Sequence, residues 1–380
     1  MYPGARPDVG PPPRFTTPEP RLGFGAWGVG GRDWGPGAEA TDRVAAIERA
    51  VECGISCFDT APTYGAGESE VLLGRVLAAH RDRVAIATKV GPRDDPRASL
   101  EASLRRLRSD YVDLVQLHEA RERWEWQLER LHTLQQQGKA LAIGLCNATH
   151  LQIARALELV PLASYQGPYN LFDRDVEQRE LPLCRSRGLA FLAYRPLAAG
   201  LLTGKYLAPP HFAADDHRRA IYWFRGPEFA RRQRVLARLR SMAAARQVSP
   251  AALALAWMLG RPGVSVVLAG ARSAGQVDDN LTAVETPLTA TDVTAIDAIV
   301  AEAFTPPRAG AEVRAHAGDW GARERYIVER LDGTASYEAI AAAWTDQGRE
   351  PMVAAQVKVF VDQLAEQGLI PLDRPADDAR

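Results

Sequence analysis

The chain has 380 residues, 46% of them hydrophobic, with 46 basic against 47 acidic side chains. That is material for one large α/β domain and something small, and the balanced charge excludes a general affinity for nucleic acid or an anionic membrane. The most apolar stretches, AALALAWML and VSVVLAGA, are too short to span a bilayer, and four cysteines (Cys53, Cys57, Cys146, Cys184) make neither a disulfide framework nor a metal site.

Residues 1–20 are Pro-rich and read as a disordered lead-in. They hold no apolar core of a secretory signal, and a cytoplasmic location is expected. The next stretch is RLGFGAWGVGG, in which Gly23-x-Gly25-x-x-Gly28 matches the fingerprint of a dinucleotide-binding Rossmann turn. That turn requires a strand before it, a helix directly after it and an acid about 20 positions on. The strand is plausible, but VGGRDWGPG is all helix breakers, and Glu48, at the right distance, falls inside a helical pattern.

From residue 22 to about 302 a short apolar run and a helix-length amphipathic segment alternate. The runs lie near LGFGAW, SCFD, VAIATK, VDLVQLH, ALAIGLC, ASYQ, LAFLAYRP and VSVVLAG. Helices are predicted at 41–53, 67–79, 97–108, 124–138, 149–159, 176–187 and 229–246, with 273–284 after the last run. Thr41-Asp42 is expected to cap the first, Ser249-Pro250 to start another, and Gly54 and Gly188 to end two more. Eight buried runs alternating with helices predict parallel strands and a (β/α)8 TIM barrel over residues 21–303.

LAPPHFAADDHRRAIYWFRG follows the seventh run, on the catalytic face of a barrel, and its aromatics Tyr222, Trp223 and Phe224 favour an ordered lid. Residues 304–320 read as a linker. Residues 321–375 contain three helical stretches and a Gly-Leu-Ile that would begin a strand, a small C-terminal helical or winged-helix domain. The whole is therefore an α/β chain with an appendage.

Four groups with acid–base capacity stand at the carboxyl ends of the apolar runs, where a barrel places its active site. They are Asp59 and Tyr64 in FDTAPTYG, Lys89 in ATKV, and His118 in QLHE. A buried Asp59 and Lys89 are expected to pair. A nearby ammonium lowers a phenol's pKa, so Tyr64 is expected to be a tuned proton donor for a carbonyl oxygen, with His118 orienting that carbonyl.

The motifs FDTAPTYG, ATKVG, LVQLH, AIGLCN, YQGPYNLFDR, YRPLAAGLLTGKY and VVLAGARSAGQVDDNL, in this order, resemble the aldo-keto reductases. The resemblance implies the tetrad Asp59, Tyr64, Lys89 and His118, a small carbonyl substrate, and NADPH extended across the barrel mouth. Asn147 and Gln166 would hold the carboxamide and Tyr194 would stack on the nicotinamide. Leu197, Gly200 and Leu201 would meet the pyrophosphate, and Gly270, Arg272, Gln276 and Asn280 the adenosine end, with Arg272 reading a 2′-phosphate. Trp27 and Arg195 are assigned to the cofactor, and Trp34, Tyr222, Trp223 and Phe224 to the substrate pocket. Within this frame the Gly23-x-Gly25-x-x-Gly28 match is a coincidence. The chain departs from the family at Cys146 and Arg195, where serines are usual.

Residues 321–375 vaguely resemble the small winged-helix elements that bind leader peptides, and a helix-turn-helix reader is another option. From residue 304 on there are 9 basic and 13 acidic side chains, which argues against a phosphate-binding face. The plainer reading is docking of a protein or peptide partner, or dimerisation. The function expected is NADPH-dependent reduction of an aldehyde or ketone; the alternative is an NADPH-binding regulatory or adaptor subunit with slow turnover.

Overall fold

In the computed structural model the described residues are 21–35, 38–304, 322–330, 336–345 and 352–366. The expected lead-in (1–20), nearly all of the expected linker and the Gly368-Leu369-Ile370 of the expected wing lie outside them. The chain divides into two compact units, Met1–Val293 and Thr294–Arg380, earlier than the expected boundary at 303.

The first unit is a closed barrel in which β1 (Arg21–Gly25), β2 (Cys57–Asp59), β3 (Ala85–Val90), β4 (Val112–Leu117), β5 (Ala140–Cys146), β6 (Leu162–Pro168), β7 (Ala190–Tyr194) and β8 (Val264–Gly270) follow one another in sequence order. Every neighbouring pair is parallel, and β1 closes on β8 with Arg21 opposite Val266 and Gly25 opposite Gly270. Parallel strands covered on both faces are mostly apolar, which is why the strands stand out as short runs interrupted by only a few polar residues such as Asp59, Lys89 and Gln166. Small side chains share the barrel interior with branched ones: Cys57, Ala85, Ala87, Ala142 and Ala190 pack with Leu114, Leu192, Val266 and Leu268. A Cβ on Gly23 would fall 2.7 Å from Val266 Cγ1, so this glycine serves barrel packing rather than a phosphate turn.

The predicted helices appear as α1 (Ala40–Glu52), α2 (Glu68–Leu77), α3 (Pro96–Leu107), α4 (Trp124–Gln136), α5 (His150–Leu159), α6 (Glu180–Arg187), α7 (Gly226–Ala245), α8 (Pro250–Leu259) and α9 (Ala274–Leu281), and a further helix not expected from the sequence, α10 (Ala290–Phe304), follows them. The cap of α1 is Glu39, in a capping box with Asp42, and not the expected Thr41-Asp42 pair; the helix starts one residue earlier than Thr41. Ser249 caps α8 as expected, its side chain accepting from the backbone N–H of Ala252. Gly188 ends α6 at a left-handed φ of 68°, where a side chain would be strained.

In the second unit the described residues beyond α10 form three helices, Ala322–Glu329, Tyr337–Thr345 and Ala354–Glu366, and no strand. The winged-helix comparison is therefore not upheld. These helices share a core of Tyr326, Ile327, Ile340, Trp344, Val357, Val361 and Leu364, with Tyr326 edge-on to Trp344 at 5.0 Å. Among the described residues no helix is long and apolar enough to cross a membrane, and no cluster of His, Cys, Asp or Glu fits a metal ion.

Candidate active site

Asp59 ends β2, Lys89 lies on β3, and His118 follows β4, its backbone N–H donating to the carbonyl of Val90 at 2.8 Å. The barrel thus delivers three of the four groups to its carboxyl-terminal rim. Tyr64 comes from the loop after β2, which turns through Gly65 (φ 62°), Ala66 (φ 57°) and Gly67 (φ 96°). A Cβ on Gly65 would lie 2.1 Å from the carbonyl oxygen of Gly30, so only glycine allows the β1 and β2 loops to meet here. Ser69 Oγ ties the same loop down, donating to the Ala26 carbonyl and pairing with Thr60 Oγ1, each at 2.8 Å.

The ammonium of Lys89, 1% exposed, spends its three donors on Asp59 Oδ2 (2.7 Å), the Thr60 carbonyl (2.8 Å) and Tyr64 Oη (3.1 Å). The expected Asp59–Lys89 pair is present. An ammonium has no acceptor, so the Tyr64 oxygen accepts from Lys89 and its own O–H is left free to donate. Asp59 also accepts from Gln166 Nε2 (2.8 Å) and Gln116 Nε2 (3.3 Å). Burial opposes the Lys89 charge, yet the carboxylate beside it overrides burial and holds the ammonium above the ordinary lysine range.

Lys89 does lower the Tyr64 pKa, but the expectation of a phenol tuned downward overall is corrected. Burial dominates and pushes the phenol up to about 12, with Lys89 only partly offsetting it. His118, edge-on to Tyr64 with ring centroids 6.1 Å apart, is pushed down to about 3 by burial and then by Lys89. It is a neutral imidazole. Burial also keeps the Cys146 thiol protonated.

A cavity of about 320 Å³ opens at this rim. Trp27, Trp34, Tyr64, Tyr194, Arg195, Leu197, Gly200, Gly270, Arg272, Gln276 and Asn280 line it. Asn147 and Gln166 do not line it but bind the site's own groups: Asn147 accepts from Tyr194 Oη (2.8 Å) and donates to the His118 carbonyl (3.0 Å), while Gln166 donates to Asp59. Leu201 is fully buried behind the wall.

The lid residues are corrected as pocket candidates. Tyr222 is 47% exposed, and Phe224 packs edge-on against Tyr206 (5.4 Å) and Phe212 (4.9 Å). Trp223 sits behind Arg195, whose guanidinium carbon lies 5.3 Å from its ring centroid. The lid is anchored instead by Arg218, which donates to Asp216, Tyr206 Oη and the Trp34 carbonyl. His217 slots between Trp27 (4.3 Å) and Trp34 (4.4 Å), and Trp27 in turn stacks on Tyr64 at 5.9 Å. Lys205, Arg218 and Gln116 were not singled out from the sequence, although Lys205 stands in GLLTGKY directly after the loop assigned to the pyrophosphate.

The cavity's chemistry fits an anionic dinucleotide. Lys205 and Arg272 face it and form no ion pair among the described residues. Ser273 begins α9 without a side-chain cap, leaving the first helical N–H groups open to an anion. A Cβ on Gly200, whose φ is 91°, would stand 3.7 Å from Lys205 Nζ and narrow the groove.

An eight-stranded parallel barrel whose rim holds a buried Asp–Lys pair against a free phenol O–H, beside an anion-ready groove, defines a barrel oxidoreductase. The family model for the Aldo/keto reductase family matches residues 21–301, and the chain belongs to that family. It is 35% identical over 280 residues to aldo-keto reductase YhdN of Bacillus subtilis, covering 68% of this chain and 83% of that one. It is 30% identical over 310 residues to the NADH-specific methylglyoxal reductase of Escherichia coli, covering 72% and 92%. Among solved structures, the glycerol dehydrogenase of Gluconobacter oxydans superposes with a TM-score of 0.66 at 34% identity, over 74% of this chain and 91% of that one. An aldo/keto reductase from Klebsiella pneumoniae in complex with NADP and acetate superposes with a TM-score of 0.58 at 27% identity, over 73% and 90%.

Proposed function

We propose that the chain reduces a small aldehyde or ketone with NADPH and that Tyr64 is its general acid. The carrying observation is the Lys89 ammonium 3.1 Å from Tyr64 Oη, which leaves the phenol's proton facing the cavity. A reduced nicotinamide, when bound, supplies the hydride to the carbonyl carbon. Tyr64 Oη gives its proton to the carbonyl oxygen, whose developing charge would otherwise stand in a dry site. Lys89 makes that gift easier by hydrogen bonding to the phenolate left behind, and Asp59 balances Lys89. His118, neutral, donates one N–H to the same carbonyl and orients it. Trp27, stacked on Tyr64, and the His217 lid residue above it exclude water.

Tyr194, Leu197, Gly200, Gly270, Gln276 and Asn280 are the residues proposed to hold the cofactor, with Lys205 and Arg272 for its phosphates. One relative is named NADH-specific and one neighbour is named as an NADP complex. The choice of NADPH therefore rests on Arg272, a guanidinium next to an uncapped helix start, which suits a 2′-phosphate. The named relatives are enzymes, so the regulatory-subunit alternative has nothing specific in its favour. A cytoplasmic workplace is proposed with the function. Docking of a protein or peptide by residues 321–375 has only their separate apolar core in its support. Steady-state oxidation of NADPH and of NADH with a panel of short aldehydes tests the function; turnover with neither cofactor would refute it.

A further inference from the structure

The carboxylate of Asp59 is held from three strands. Its Oδ2 accepts from Lys89 on β3 (2.7 Å), and its Oδ1 accepts from the side-chain amides of Gln166 on β6 (2.8 Å) and Gln116 on β4 (3.3 Å). Lys89 and Gln116 are register partners, so their side chains leave neighbouring strands toward the same interior. Gln116 is fully buried and does not line the cavity. Whatever it does for the reaction must pass through Asp59.

Packing alone does not account for an amide at this position. Gln116 Oε1 is shielded from solvent and meets no donor among the described residues, and an unpaired buried acceptor is destabilising. A methionine would fill the same volume with no polar atom to satisfy. The barrel also leaves room for this side chain. Gly144 is the register partner of Gln116 on β5, and a Cβ there would fall 2.9 Å from Gln116 Cγ. What the amide supplies is its N–H on Asp59, a donor that takes up part of the carboxylate's negative charge and fixes its plane. The charge of Asp59 opposes ionisation of Tyr64. A carboxylate shared with an amide therefore hinders the phenol less as the proton leaves.

We propose that Gln116 is a positioning residue for the reduction: its amide N–H holds Asp59, and through Asp59 and Lys89 it sets how readily Tyr64 releases its proton. This rests on the reading of Tyr64 as general acid. Gln116→Met keeps the length of the side chain and removes the donor. At saturating reduced cofactor and one short aldehyde, its single-turnover rate should fall about tenfold, the low end for a hydrogen bond to a charged group. The cofactor's Kd and the aldehyde's KM should stay within about twofold of wild type. A residue that acts only through Tyr64 has nothing to act on once that phenol is gone. Tyr64→Phe combined with Gln116→Met should therefore be no slower than Tyr64→Phe alone, whereas a loss of packing would multiply. Gln116→Glu keeps the shape and can donate only while its carboxyl is protonated, so it should run nearer to the wild-type rate at pH 5 than at pH 9. Around it Tyr64, Lys89 and Cys146 keep their protons and His118 stays neutral over that range, so the change belongs to the new carboxyl. A wild-type rate in Gln116→Met, a loss seen in KM or Kd instead, a loss that multiplies in the double variant, or a pH-independent Gln116→Glu would overturn the proposal. If Gln116→Met fails to bind cofactor, the pH profile of Gln116→Glu decides alone. Tyr64→Phe at the wild-type rate would refute the general acid and this proposal together; a wild-type rate in Gln116→Met beside a crippled Tyr64→Phe sinks only the proposal.

Discussion

Replacing Tyr64 by Phe removes one oxygen from the cavity wall and keeps the ring. The 5.9 Å stack on Trp27 and the 6.1 Å edge contact with His118 survive. Lys89 retains Asp59 at 2.7 Å and the Thr60 carbonyl at 2.8 Å and loses one acceptor of three. The cost to folding is therefore about 1–3 kcal/mol, the range for one hydrogen bond to a charged group. Carbonyl reduction loses its general acid, on the order of 10²–10⁴-fold in kcat, or about 2.7–5.4 kcal/mol of barrier. Cofactor affinity, set by the far wall of the cavity, should stay within about twofold. Lys89 reaches the carbonyl oxygen only through Tyr64, so Tyr64→Phe combined with Lys89→Met should be little slower than Tyr64→Phe alone. The assay is steady-state oxidation of reduced cofactor with one short aldehyde, beside a fluorescence titration of the cofactor. Wild-type turnover by the Phe variant, or losses that multiply in the double variant, would refute the assignment of the acid.

Between about pH 5 and 9 the chemical step of reduction should be flat, because Tyr64, pushed up to about 12, keeps its proton and His118, pushed down to about 3, stays neutral. The reverse oxidation of an alcohol needs the phenolate and should climb across the same range; a bell centred near pH 7 in single-turnover rates would expose another acid. Arg272→Ala should raise the Kd of NADPH by roughly 10–100-fold and leave that of NADH nearly unchanged; equal losses in the titration would show that Arg272 does not read a 2′-phosphate. Gly65→Ala should lower the Tm, by a stability loss of about 2 kcal/mol or more, and slow reduction, because its Cβ would stand 2.1 Å from the Gly30 carbonyl beside Tyr64. A chain ending after Phe304 should stay soluble and reduce a small neutral aldehyde; retained cofactor binding with lost turnover would give the helices of residues 322–366 a part in catalysis.

Strand order, helix order and the four polar groups gathered at the rim were legible from local pattern. A strand covered on both faces is an apolar run whatever its partners, and barrel chemistry collects at the ends of such runs. Asp59, Lys89 and His118 were readable for that reason, and Tyr64 because its motif follows the second run so closely. The lid misled. Tyr222, Trp223 and Phe224 marked it as ordered, but which way each ring faces depends on Arg218 reaching Trp34, 184 positions away. Gln116 and Gln166 gave no sign of serving Asp59, since they arrive from strands 57 and 107 positions further on. The last helical stretches were legible as helices, while the expected wing had no more than three residues of pattern behind it.

The sequence by itself determined the order of elements and which ionisable groups stand at the barrel rim, both properties of neighbouring residues. Only the tertiary structure decided how tightly Tyr64 holds its proton and which cations stay unpaired. A lysine beside a phenol can be foreseen from two motifs, but the burial that outweighs it is created by loops from β1, β2 and β7 closing over one point. Desolvation belongs to that assembled volume and not to any one segment.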